Sequence, residues 1–201
     1  VNDPLDRYLQ IISQHESAWK GHGKFAVDLV NQMNPDLIMD LGVNFGFSTF
    51  CWAYPKIGEV YGVDSFRGDF HPPTKKAYNV FTNTRDILEK EFGPLKIKLL
   101  VNKFKNVSRF WDQKIDILHI DGNHSYESVS NDYNLFSKHV SENGVVLFHD
   151  TLSYIDTVGK FFEELDGFKL NKPDYCGLGI HTKSVDTFNK IKNLLIYENS
   201  N

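Results

Sequence analysis

Asp121, His124 and Asp150 carry groups that can move a proton or hold a cation, while Asp40, Gly42, Gly46 and Asp64 carry groups that can seat a nucleotide-like cofactor. An imidazole such as that of His124 takes up a proton near neutral pH, as a general base must. The carboxylates of Asp121 and Asp150 are hard oxygen donors of the kind Mg²⁺ or Mn²⁺ prefers, and a cation held there would orient a substrate hydroxyl and lower its pKa. Gly42 and Gly46 follow the apolar run Ile38-Met39-Asp40-Leu41 and lead into a helical pattern. Gly42 permits a sharp turn, and Gly46 removes a side chain where the helix must approach strand and ligand. The spacing is Gly-x-x-x-Gly; the Gly-x-Gly-x-x-Gly that lays a pyrophosphate on a helix N-terminus is absent, so no pyrophosphate is expected. Asp64 ends the run Glu59-Val60-Tyr61-Gly62-Val63, a position from which a carboxylate accepts hydrogen bonds from ribose hydroxyls. Taken singly, each aspartate could merely end a strand and His124 could merely cap a helix. Their joint spacing favours a site.

These residues need a frame that delivers them to one rim. Apolar β-rich runs at Leu37 to Leu41, Val60 to Val63, Ile97 to Val101, Ile115 to Ile120 and Gly144 to Phe148 alternate with helical patterns, which predicts βαβ units around a parallel sheet. Parallel neighbours bring their C-terminal ends to the same edge, so Asp121, His124 and Asp150 can converge. Side chains alternate along a strand, so only one of His149 and Asp150 is expected to face the site. Tyr126, Val129, Tyr133, Phe136 and Val140 recur at steps of three and four, the stripe of a helix packed on the sheet, with Ser125 as its N-cap. A helix from about Ile155 to Asp166 and strands at Phe168 to Leu170 and Gly177 to Thr182 complete the pattern. Residues 65–84 show no clean period and contain Pro72-Pro73 and Lys75-Lys76, which predicts a lid or substrate loop.

With 201 residues and 41% apolar content the chain can bury one good core, so a single domain over 1–201 is expected, and its start at Val1 without a methionine suggests a domain cut from a longer polypeptide. A net charge of −4 gives no basic field for a phosphate backbone, which argues against nucleic acid as a partner. Cys51 and Cys176 form no Cys-x-x-Cys pair and no disulfide framework, and Cys51 falls in a buried helical pattern. No apolar run is long enough to span a bilayer and no signal-peptide pattern opens the chain, so a cytoplasmic location is expected.

Asp40-x-Gly42-x-x-x-Gly46-x-Ser48, Val63-Asp64-Ser65-Phe66-x-Gly68, Asp121-Gly122-x-His124-x-Tyr126 and Gly144-Val145-Val146-Leu147-Phe148-His149-Asp150 together resemble class I S-adenosylmethionine-dependent methyltransferases. The resemblance spans most of the chain and is nearest to the small-molecule and sugar O-methyltransferases related to macrocin O-methyltransferase, with Asp-Ser-Phe-x-Gly its most specific point. It implies an α/β three-layer sandwich: a Rossmann-like, mostly parallel seven-stranded sheet whose last strand, at Gly177-Leu178-Gly179-Ile180, is antiparallel. It implies S-adenosyl-L-methionine as cofactor, with Asp40, Gly42, Asn44, Gly46 and Ser48 around the methionine part, Asp64 on the ribose and Ser65 as a further cofactor-binding residue. It implies a metal ligand at Asp121, a base at His124 and a small-molecule or glycan acceptor. Metal-dependent relatives commonly carry a second acidic or amide ligand just after the aspartate of the fifth strand tip, where this chain has Thr151.

Aliphatic hydroxyls are weak acids, so a base, a metal or both suit O-methylation, and the Asn-Pro-Pro-Tyr type of motif of many N-methyltransferases is absent. A phenolic or other small hydroxyl compound is the alternative acceptor. A nicotinamide-dependent reductase lacks support, since no Tyr-x-x-x-Lys pair accompanies the glycine loop. A non-catalytic methyltransferase-like scaffold is the remaining alternative.

Overall fold

The structure, a computed structural model, describes residues 3–67 and 75–198. Strands β1 (Leu37–Leu41), β2 (Glu59–Asp64), β3 (Ile97–Val101), β4 (Ile115–Ile120), β5 (Val140–His149), β6 (Phe168–Lys172) and β7 (Leu178–Thr182) form one seven-stranded sheet in the order β3-β2-β1-β4-β5-β7-β6. β1 to β5 pair in parallel, whereas β7 runs antiparallel to both β5 and β6. The expected mostly parallel sheet with its antiparallel last strand is therefore present. Strand order reverses between β1 and β4, which opens a crevice at their carboxyl ends.

Period-two alternation sends neighbouring residues of each strand to opposite layers. Ile38, Val60, Ile117, Val145 and Leu147 face one core with Phe25 and Leu29 of α2 (Gly23–Met33), Phe50 of α3 (Phe47–Ala53), Phe81 and Leu88 of α4 (Lys75–Phe92), Tyr8 of α1 (Pro4–Ile12) and Ile191 of α8 (Val185–Glu198). Met39, Val63, Leu118, Ile120, Val146 and Phe148 face the other with Val107 of α5 (Phe104–Val107), Val129 and Phe136 of α6 (Tyr126–Phe136), and Phe161 and Phe162 of α7 (Lys160–Glu164). Burial of such side chains contributes about 1.5–3 kcal/mol each and fixes strand register, since a one-residue slip would swap the layers.

Three expectations are corrected. The 65–84 segment is not one irregular loop: α4 begins at Lys75, because Phe81, Thr84 and Leu88 recur at steps of three and four and are all buried. Residues 68–74 of that segment lie outside the described residues. Val140 does not continue the α6 stripe; the helix stops at Phe136 and Val140 opens β5, paired with Ile115. The helix expected over 155–166 is a π-helical turn, Ile155–Gly159, running into the short α7. Ser125 does cap α6, its Oγ accepting the Ser128 N–H at 3.2 Å.

Candidate active site

The tips of β1, β2, β4 and β5 meet around a cavity of about 1140 Å³, lined among others by Gly42, Asn44, Ser48, Asp64, Ser65, Asp121, His124, His149 and Asp150. Gly42 N–H donates to Val63 O at 3.0 Å and Asp121 N–H to Leu41 O at 2.8 Å, so the three tips are laced side by side. Gly42 has φ +101°, and a Cβ on it would fall 1.9 Å from the Asp121 carbonyl oxygen. Only glycine fits where the two tips touch.

Asp64 lines the cavity and also holds the glycine loop. Its Oδ2 accepts the amide N–H groups of Val43 (3.0 Å) and Asn44 (2.9 Å), and its Oδ1 accepts that of Phe66 (2.7 Å). Asn44, at φ +48°, is the loop residue that turns its amide toward this carboxylate. Ser65 reaches the same cavity, its Oγ accepting the Arg67 N–H at 3.3 Å.

Two of the residues expected at the cofactor make packing or hydrogen-bond contacts within the fold. Asp40 is fully buried, because strand parity places it with Ile38 on the α3 face of β1 and away from the open tip. Its Oδ2 accepts the hydroxyls of Ser48 (2.9 Å) and Thr49 (2.5 Å), and its Oδ1 takes His119 Nδ1 at 2.5 Å from the register-paired position on β4. Asp40 therefore anchors the start of α3 and does not reach the cavity. Gly46, at φ +95°, clears the rings of Phe81 and Phe50, to which a Cβ would come within 2.5 Å and 2.6 Å.

Asp121, His124 and Asp150 do converge. His124 Nε2 lies 3.0 Å from Asp150 Oδ2 and 3.4 Å from Asp121 Oδ1. His149 joins them, contrary to the alternation argument, with Nδ1 3.1 Å from Asp150 Oδ2 and 3.4 Å from Asp121 Oδ1, though neither approach has hydrogen-bond alignment. The strand ends at His149, and Asp150 takes φ +66°, a left-handed turn that swings its carboxylate back beside its neighbour. Two carboxylate oxygens and two imidazole nitrogens thus alternate around a quadrilateral. Burial opposes charge on His124 and His149, but the two carboxylates outweigh it and push both imidazoles up from 6.5. Burial likewise pushes Asp121 and Asp150 upward, yet the facing imidazoles hold both carboxyls well below the usual carboxylate range. Tyr154 stacks on His124 with ring centroids 4.3 Å apart.

Oxygens of Asp121 and Asp150 and a nitrogen of His124 lie within 4.8 Å of one another, an O₂N donor set that fits a hard divalent cation. Thr151 takes no part: it is buried and its hydroxyl donates to Asn171 Oδ1 at 3.1 Å. Sequence reasoning allowed only one of His149 and Asp150 into the site, and it missed the role of His119 and the cavity-lining Glu16–Trp19 segment; that last contact is tertiary and leaves no periodic trace.

A family model described as a methyltransferase domain matches residues 39–151, from β1 through the tip of β5. The chain belongs to that methyltransferase family. An uncharacterized protein of Sinorhizobium fredii, y4gI, is 31% identical to the methyltransferase domain over 176 residues, covering 82% of this chain and 19% of that protein. An uncharacterized Acanthamoeba polyphaga mimivirus protein, R132, is 50% identical over 40 residues, covering 20% of this chain and 18% of its own length. The matched portion of the methyltransferase domain thus spans less than a fifth of either curated relative. A methyltransferase from Geobacter sulfurreducens superposes with TM-score 0.66 at 15% identity, covering 92% of this chain and 91% of its own. SAH-bound PaMTH1 of Podospora anserina gives 0.67 at 13%, covering 90% and 88%, and the SAM-bound O-methyltransferase TomG of Streptomyces achromogenes gives 0.64 at 14%, covering 90% and 91%. At these identities the structures establish the class I methyltransferase fold of the domain. Among the described residues no helix is long and apolar enough to cross a membrane.

Proposed function

We propose that this domain moves the methyl group of S-adenosylmethionine to a hydroxyl of a sugar or glycan. The observation that carries the reading is the convergence of Asp121, His124 and Asp150 in the same cavity as the glycine loop and Asp64. The cofactor's ribose is assigned to Asp64 and Ser65, and its methionine part to the loop from Gly42 to Asn44 and to Ser48. A cavity of about 1140 Å³ exceeds the usual single-ligand range of roughly 300–1,000 Å³, which suits a donor and an acceptor together.

In the transfer, an acceptor oxygen in line with the methyl–sulfur bond donates a lone pair to the methyl carbon. The C–O bond forms as the C–S pair returns to sulfur, leaving S-adenosylhomocysteine, and the hydroxyl proton passes to the other ring nitrogen of His124 in its neutral form, at a pH above its raised pKa, while Nε2–H stays with the carboxylates. Asp121 and Asp150 orient that imidazole. As an alternative to base catalysis, the same two carboxylates with His124 as a third donor would hold Mg²⁺ or Mn²⁺, which would orient the hydroxyl, lower its pKa and balance the acidic pair. Asn102, Asn123, Ser128, Asn131 and Asn134 on the cavity wall offer polar groups to a hydroxyl-rich acceptor. Incubation with labelled S-adenosylmethionine and panels of monosaccharides, glycans and phenols, with and without Mg²⁺ or Mn²⁺, tests the reading. Label on phenols alone would reassign the acceptor, and failure to bind S-adenosylmethionine or its product would remove the reading altogether.

A further inference from the structure

Trp19 belongs to none of the strand tips that build the cavity, yet it lines that cavity and is only 2% exposed. Its Nε1–H donates to His119 Nε2 at 3.1 Å. That bond makes Nε2 the acceptor nitrogen, so the imidazole proton sits on Nδ1 and is donated to Asp40 Oδ1 at 2.5 Å. Asp40 passes the linkage on through its other oxygen to Ser48 and Thr49 in the first turn of α3. Every member of this relay is at most 4% exposed. A buried polar network with all its members satisfied has one good arrangement, and removal of one donor leaves an acceptor stranded away from water.

The other end of the same segment grips the glycine loop directly. His15 packs on Phe45 with ring centroids 5.6 Å apart, and Glu16, Ser17 and Ala18 line the cavity between these two attachments. Within the segment the Trp19 N–H donates to Ser17 Oγ at 3.1 Å, which holds the turn. The Trp19 ring also stands 5.8 Å from that of His149, so it touches the catalytic quadrilateral as well.

We propose that residues 15–19 form a strap that holds the glycine loop in its cofactor-receiving shape, with Trp19 as the positioning residue. Resting on the methyltransferase reading, the inference names S-adenosylhomocysteine as the probe that senses the strap. Calorimetric titration of the whole chain with this probe should give a Kd about tenfold higher for Trp19→Phe, which keeps a ring but loses the N–H. His15→Ala, at a half-buried position where folding is tolerant, should give a rise of about threefold. A structural role alone would lower Tm in Trp19→Phe and leave both Kd values at the wild-type figure, and that result would overturn the strap. If Trp19→Phe does not fold, His15→Ala decides by the same criterion. A wild-type chain that fails to bind the probe would instead overturn the methyltransferase reading and the strap with it.

Discussion

Replacing Asp64 with asparagine separates charge from shape at the centre of the glycine loop. One oxygen survives in the amide and can keep accepting from Val43 and Asn44, but the new NH₂ faces the Phe66 N–H donor to donor. A hydrogen bond to a charged group contributes about 1.5–3 kcal/mol and a neutral one about 1 kcal/mol. Losing one charged bond and converting two to neutral ones therefore removes roughly 2.5–7 kcal/mol, about 4 to 5 at mid-range. Asp64 is half-buried and water can reach the freed amide, so about half of that, ~2 kcal/mol, is expected to survive. Because the loop must be ordered for the cofactor to bind, 2 kcal/mol corresponds to about a 30-fold rise in the Kd for S-adenosylhomocysteine. The same loosening should lower Tm by about 4–8 °C for a chain of this size. Calorimetric titration and thermal melts on wild type and Asp64→Asn give both numbers. A Kd within twofold of wild type would refute the assignment of Asp64 to the cofactor, whatever happens to Tm.

Other expectations are separately measurable. His124→Ala should cut turnover by about 10²–10⁴ while the S-adenosylhomocysteine Kd stays within about threefold; wild-type turnover would show that another group takes the proton. Asp150→Asn should weaken Mn²⁺ binding at least about tenfold by calorimetry, and turnover indifferent to both EDTA and added Mn²⁺ would leave the base to act alone. His22 is fully buried, neither ring nitrogen has a hydrogen-bond partner among the described residues, and burial, reinforced by nearby His149, pulls its pKa down to about 4. Its folded value lies below the unfolded 6.5, so the unfolded chain binds the extra proton first. The associated stability is present above about pH 6.5 and is lost as pH falls toward 4, by up to about 3 kcal/mol. Denaturant unfolding at pH 7 and pH 4.5 should show a smaller loss in His22→Phe than in wild type; equal losses would mean His22 is not buried neutral.

Much of the frame was legible because it follows from local pattern. β1, β3 and β4 occupy the expected residues, and parallel pairing then forces Asp121, His124 and Asp150 to one edge. What could not be read depended on one-residue facts or distant contacts. Asp40 lies at a strand end like Asp64, but parity turns it inward to His119 and α3. His149 and Asp150 share a site only because one residue adopts a left-handed φ, which alternation does not anticipate. The Trp19 to His119 bond joins residues 100 positions apart. The start of α4 was hidden because its apolar stripe begins sparsely after two prolines and two lysines.

The insertion of β7 between β5 and β6 also governs the order in which the molecule can be finished. β5 ends at His149, but the neighbour that closes its outer edge is Leu178–Thr182, which the ribosome delivers about thirty residues later. Until then a row of unpaired amides and carbonyls on an apolar strand stands open to any extended peptide nearby. Docking of the β6–β7 hairpin therefore removes an aggregation-prone edge as well as completing the sheet.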